Sequence, residues 1–144
     1  MNSGKQRSKP MDAEHFKGLA GFRRGLRSFL AASEKLSRDA GVTTQQYQVL
    51  LAIKVADTSP LAMKDLAEEL LLAPHATVQL MNRLEKAGLA ERRPSDRDRR
   101  FVFVALTPKG DALIEALGER HLEAMLRQEP QLRSSLNRLR RLSP

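Results

Sequence analysis

Over most of its length the chain spaces apolar residues three and four positions apart, the repeat of a helix that buries one face. Across residues 12–39 these are Phe16, Leu19, Ala20, Phe22, Leu26, Phe29, Leu30 and Leu36. That face is wider than one neighbouring helix covers, so a partner chain is its natural cover. Gly41 ends this helix, and Thr43 with Gln46 three residues later makes the capping-box pattern that starts the next. The second helix carries Tyr47, Leu50, Leu51, Ala52 and Val55 and stops in Asp57-Thr-Ser-Pro60. A short helix is predicted over residues 63–70, followed by a three-residue turn and another helix over residues 74–87. In this last helix Thr77, Leu80, Met81 and Leu84 form one inward stripe, which leaves His75, Ala76, Gln79, Asn82, Arg83 and Lys86 outward. Pro74 suits a first helical position, where its missing N–H costs nothing, and Gly88 suits the left-handed residue past the end. Ala62 and Ala73, at the two N-cap positions, are poor caps.

Two-residue alternation then takes over. Val102, Val104 and Leu106 point to one side and Phe101, Phe103 and Ala105 to the other, which predicts a strand. It pairs with residues 89–93 across a tip at residues 94–100, and Leu61 is placed to add a short third strand. Thr107 and Pro108 start a further helix by cap and first-position proline, with Leu113, Ile114, Leu117, His121, Met125 and Leu126 on its apolar side. Pro130 is expected to break it, leaving a last helix over residues 131–142 with a seam of Leu132, Leu136, Leu139 and Leu142. Uncovered apolar faces at both ends of the chain argue for a dimer built from the termini.

The predicted fold class is therefore mainly α with a small β-hairpin (α+β). Residues 1–11, with Lys5, Arg7 and Lys9, read as a disordered basic tail; residues 43–107 form a compact unit; residues 12–40 and 108–144 are dimerisation helices. Two helices joined by a three-residue turn make a helix-turn-helix, whose second helix can lie in a DNA major groove. The hairpin strengthens this reading. Between Glu91 and Arg100 it carries Arg92, Arg93, Arg97, Arg99 and Arg100 against Glu91, Asp96 and Asp98, with the arginines in excess where a hairpin projects furthest. An arginine-tipped ribbon beside a helix-turn-helix is a winged helix.

Composition narrows the function. A formal charge of +8 over 144 residues favours an anionic partner, nucleic acid first and a membrane surface second. There is no cysteine, so disulfides, thiol redox sensing and thiolate zinc sites are excluded. No apolar run approaches the ~20 residues of a membrane span, and the first residues lack the apolar core of a signal peptide, so the expected location is cytoplasmic, without a membrane partner. The chain has no phosphate loop and no glycine-rich fingerprint, and His15, His75 and His121 lack metal-ligand spacing. No catalytic residue, metal or cofactor is expected, and the chain does not read as an enzyme.

The residues Leu66-Ala67, Leu84-Glu-Lys-Ala-Gly-Leu89 with Glu91-Arg92-Arg93, Asp98-Arg99-Arg100, and Val104-Ala-Leu-Thr107 with Gly110 resemble, in order and spacing, the MarR family of bacterial winged-helix transcription regulators. They span roughly a third of the chain. The resemblance implies a homodimeric regulator, a repressor by preference. It would bind a palindromic double-stranded operator with the helix at residues 74–87 in the major groove and the wing at residues 90–106 in the minor groove. It also implies that Arg100 enters the minor groove while Asp98 orients it. Family members often carry Arg at the position of Gln79, so the target here reads A·T where relatives read G·C. A small aromatic or phenolic acid is the effector class the family implies, and a regulator without a ligand stands beside it.

Residue by residue, His75, Ala76 and Gln79 lie where bases are read, and a glutamine amide can make a two-pronged hydrogen bond to adenine. Arg92, Arg93, Arg97, Arg99, Lys64 and Lys86, with the first backbone N–H groups of the second helix, are expected to neutralise phosphate. Arg83 either reaches a phosphate or pairs with an acid of its own domain. Phe16, Arg23, Tyr47 and Ile114 are candidate ligand-lining residues. Against this, Arg23 with Arg24 and Arg27 also reads as a solvated basic face, and Tyr47 as a core residue whose hydroxyl ties its helix down. Two rival functions remain, a sequence-indifferent architectural DNA-binding protein and a winged-helix module that binds protein.

Overall fold

The computed structural model describes residues 10–56 and 60–142. The basic tail, except for its last two residues, and the turn at residues 57–59 lie outside them. Five helices and three strands follow in the order α1 (Ala13–Asp39), α2 (Thr44–Val55), β1 (Leu61–Ala62), α3 (Met63–Glu69), α4 (Pro74–Lys86), β2 (Ala90–Pro94), β3 (Val102–Leu106) and α5 (Pro108–Leu142). The chain divides into two compact units, one from Ala32 to Glu123 and one made of the residues before and after it. The first therefore takes in the end of α1 and the first part of α5, beyond the 43–107 span expected. The reason is burial: Ser33, Ser37, Ile114, Leu117 and His121 are as deeply buried as the helix-turn-helix core.

Local chemistry explains most boundaries in the Ala32–Glu123 unit. Gly41 takes φ +82°, and the Thr43 capping box forms in full: the Gln46 N–H donates to Thr43 Oγ1 at 3.1 Å, and the Thr43 N–H donates to Gln46 Oε1 at 2.9 Å. A Thr43→Ala substitution removes one cap and should cost about 1 kcal/mol in chemical denaturation, with an unchanged slope against denaturant. Pro74 occupies the start of α4 and Gly88, at φ +71°, follows its end. Neither Ala62 nor Ala73 makes a side-chain cap bond. Thr107 Oγ1 accepts from the Gly110 N–H at 3.0 Å to cap α5, and donates to the Gly88 carbonyl at 2.6 Å, so the end of α4 and the start of α5 share one hydroxyl.

The strands form an antiparallel sheet in the order β1-β3-β2, with Leu61 opposite Val104 and Arg92 opposite Val104 from the other side. The third strand expected at Leu61 is present, and β3 begins at Val102 because Phe101 belongs to the turn and is exposed. Leu50, Leu66, Met81, Leu84 and Leu117 fill the core without measurable exposure above 2%. Tyr47 is buried among them, but its ring makes the tie: it stacks on His121 with centroids 4.0 Å apart and planes 8° apart. His121 Nδ1–H donates to the Leu117 carbonyl at 2.9 Å, which leaves Nε2 to accept from Ser33 Oγ at 2.8 Å.

In the other unit, α1 and α5 approach through glycines. A methyl group on Gly18 would stand 2.8 Å from Leu139 Cδ2, on Gly21 2.6 Å from Ser135 Oγ, and on Gly25 2.7 Å from Leu132 Cδ2. Leu132 and Leu139 of the leucine seam therefore lie on the first helix of the same chain. Two expectations fail here. Pro130 does not break the helix: α5 runs unbroken from Pro108 to Leu142, with the proline inside it and on the exposed side. The ~3 kcal/mol that an interior proline costs is a local penalty, and the packing of Leu132, Ser135 and Leu139 beyond it holds the helix direction. Met125 and Leu126, expected inward, are 47% and 59% exposed, and Ala124 takes the inward place.

Candidate nucleic-acid interface

The surface that carries the chemistry is built on α4 and the β2–β3 hairpin. Burial of Thr77, Leu80, Met81 and Leu84 fixes the roll of α4, so its opposite face must be presented outward. His75, Gln79, Asn82, Arg83 and Lys86 are exposed there and Ala76 is half-buried. Pro74 has no N–H and Ala73 offers no side-chain cap, so the N–H groups of His75 and Ala76 are left without an intrahelical acceptor at the positive end of the helix dipole. Among the described residues, Lys64, Arg83, Lys86, Arg97 and Arg99 are exposed and enter no ion pair, which settles for Arg83 that no acid of its own domain holds it.

The wing tip is ordered by its own side chains. Ser95 Oγ accepts from the N–H groups of Arg97 and Asp98 at 3.3 Å, and the Ser95 N–H donates to the Phe101 carbonyl at 3.1 Å. Asp98 accepts from the Arg100 N–H at 3.0 Å and from its guanidinium, Nε at 3.1 Å and Nη2 at 2.9 Å. These hydrogen bonds, the side-chain ones first, hold the Asp98 carboxyl below its usual range. The Arg100 side chain is nevertheless 88% exposed, so the pair aims a fixed guanidinium at solvent. Arg93 pairs with Glu91 through Nε at 2.8 Å and is also exposed.

Arg92 behaves differently. Its guanidinium turns back onto α4, with Nη1 2.7 Å from Glu85 Oε2 and Nη2 2.9 Å from Asn82 Oδ1. Sequence reading placed it with the projecting arginines and missed Glu85 altogether; an acid on the outward face of a basic helix, seven residues before an arginine, was the available signal. The network of Lys54 Nζ with Asp111 Oδ1 at 2.7 Å and Glu115 Oε1 at 2.8 Å was missed as well, since its members lie far apart in the chain.

The candidate ligand residues do not gather within either unit. Phe16 and Arg23 are exposed on the first part of α1, whereas Tyr47 and Ile114 are buried members of the winged-helix core.

Residues 40–100 match the model of the MarR family. The HTH-type transcriptional regulator FarR of Neisseria gonorrhoeae is 27% identical over 110 residues, covering 76% of this chain and 74% of its own length. The fold is similar to that of NadR in complex with 4-hydroxyphenylacetate, with a TM-score of 0.68 and 27% identity over 93% of this chain and 94% of that one. It is also similar to that of Staphylococcus aureus MepR bound to an oligodeoxyribonucleotide, with a TM-score of 0.66 and 20% identity over 86% and 94% of the two chains.

Proposed function

The chain belongs to the MarR family of transcription regulators, and from that premise we infer that it acts as a homodimeric repressor of a palindromic operator. The observation that carries the reading is the juxtaposition of two readers on one surface, the outward face of α4 and the braced, exposed Arg100 of the wing. Helix α4 enters the major groove. His75, Ala76 and Gln79 meet base edges there, and Gln79 suits adenine. The free N–H groups at the start of the helix, with Lys64, Arg83, Lys86, Arg93, Arg97 and Arg99, take the phosphates that supply most of the affinity. The wing lies in the neighbouring minor groove, where narrow A·T-rich stretches concentrate negative potential and draw in Arg100. Asp98 alone would be repelled by phosphate; paired, it fixes the guanidinium beforehand and lowers the ordering cost of binding.

A second copy is required for a palindrome, and its support is apolar surface. Phe16, Leu19, Leu26 and Leu30 on α1, with Leu122, Met125, Leu126 and Leu136 on α5, are between 38% and 59% exposed. Single exposed leucines are ordinary, but two runs of them on the terminal helices are the surface a dimer covers. Two copies joined there present half-sites about one helical turn, roughly 34–36 Å, apart. A small aromatic or phenolic acid releases the DNA by binding better to the state whose half-site spacing is wrong. FarR supports the regulatory role, MepR the DNA and NadR the class of effector.

Operator selection from random duplexes with the purified protein tests the reading, followed by a screen of small aromatic acids against the selected complex. An inverted repeat with an A·T pair under each Gln79 is the expected outcome. Enrichment of no sequence, together with a steep salt dependence, would instead identify an architectural DNA-binding protein.

A further inference from the structure

A helix and a ribbon that read adjacent grooves must be held at one angle to each other, and the structure shows what holds them. Strand β2 is the edge of the sheet, so the backbone N–H of Arg92 faces away from β3 and needs another acceptor. Glu85 of α4 supplies it: Oε1 accepts from the Arg92 N–H at 2.8 Å while Oε2 accepts from the Arg92 guanidinium at 2.7 Å. One carboxylate thus grips both the main chain and the side chain of the same residue. The other guanidinium arm reaches Asn82 Oδ1 at 2.9 Å and the Val78 carbonyl at 3.4 Å, one turn further up α4. Arg92 and Glu85 are only 26% and 34% exposed, so water competes weakly with charge-assisted bonds of this kind.

We propose that Arg92 is a positioning residue and not a phosphate contact: with Glu85 it forms a brace that sets the angle of the wing to the recognition helix. This rests on the DNA-binding reading above and deepens it. Asn82, exposed on the face of α4 but held by Arg92, is withdrawn from base reading, which leaves that task to the residues nearer the start of the helix. The brace spans the root of the wing, opposite Val104, whereas Arg97, Arg99 and Arg100 occupy the tip. A small change of angle at the root is therefore a large displacement at Arg100.

The test compares operator affinity as a function of salt for the wild type, Glu85→Ala, Arg92→Ala and the double variant, with hydrogen exchange of the wing amides in the free protein. Glu85→Gln, which keeps an acceptor for the Arg92 N–H but lacks the charge, serves if an alanine variant does not fold. A brace predicts that each single variant weakens specific binding about tenfold and that the double variant loses no more than the worse single. It also predicts an unchanged salt slope and faster exchange in β2 and β3. A phosphate contact would give the opposite pattern: Arg92→Ala would reduce the slope by ~0.9, and Glu85→Ala, by removing a negative charge, would bind at least as tightly as the wild type. That pattern, or unaltered wing exchange, overturns the brace. Failure of the wild type to bind any operator refutes the regulatory reading instead, while the exchange measurement on free protein still decides the brace.

Discussion

Arg100→Ala should abolish operator-specific binding while the protein keeps its fold and its dimeric state. The side chain is 88% exposed and its ion-pair partner is the loop neighbour Asp98, so its removal leaves no cavity and no buried unpaired group. Substitutions of that kind usually change stability by less than ~0.5 kcal/mol. The effect on DNA is of another size. An arginine that reads a groove is worth about 1–3 kcal/mol, and a dimer carries two, so the loss is about thirtyfold at least and reaches several orders of magnitude. Non-specific binding, supplied by the other basic residues, should survive with a slightly shallower salt dependence. Titrations with operator and scrambled duplexes, run beside circular dichroism and sedimentation, separate these outcomes. Retained discrimination between the two duplexes would mean that the wing tip does not read the operator.

Asp98→Asn provides the finer version of the same experiment. Its carboxyl is held below the usual range by hydrogen bonds to Arg100, so the pair is intact at neutral pH and is lost only as pH falls through that lowered value. The asparagine keeps an acceptor for the Arg100 N–H but loses the charge that pins the guanidinium. Affinity should then fall between those of the wild type and Arg100→Ala.

How much of this was legible beforehand depends on the range of the interaction. Thr43 with Gln46, Gly41, Pro74 and Gly88 mark element ends through bonds and dihedral angles that span a few residues, and each could be read directly. The inward stripe of α4 was equally plain, because one continuous core covers it and the 3.6-residue period holds throughout. On α5 the same reasoning stopped working near Ala124. There the helix leaves one compact unit for another, the inward direction changes, and Met125 and Leu126 face out. Pro130 misled for a related reason: a breaker states a local cost, and packing against the glycines of α1 outweighs it. Charge is the least informative pattern of all. Arg92 and Arg93 are neighbours of the same type, yet one bonds to α4 and the other lies on the surface, a distinction set by Glu85 and Asn82 in a different element.

Gly110→Ala should unfold the winged helix, and the cause is space. An alanine Cβ at this position would stand 1.8 Å from the Leu89 carbonyl oxygen, 2.8 Å from its carbonyl carbon and 3.2 Å from its Cα. All three are backbone atoms, so no rotamer change relieves the overlap. Nor is Leu89 free to retreat, since its side chain is 4% exposed, its N–H donates to the Leu84 carbonyl at 2.9 Å and its carbonyl accepts from the Thr107 N–H at 3.2 Å. To make room, the start of α5 must lift from the end of α4 and break the Thr107 link to Gly88. The expected cost exceeds ~4 kcal/mol, a large part of the total stability of a domain this size. Gly118, in the same helix, is the control: a methyl group there meets nothing within 4 Å, and Gly118→Ala should raise stability by about 0.5–1 kcal/mol through the ordinary helical preference. Thermal unfolding of the two variants decides the matter. A Gly110→Ala protein that melts with the wild type would show that α5 can begin further from Leu89 than this packing requires.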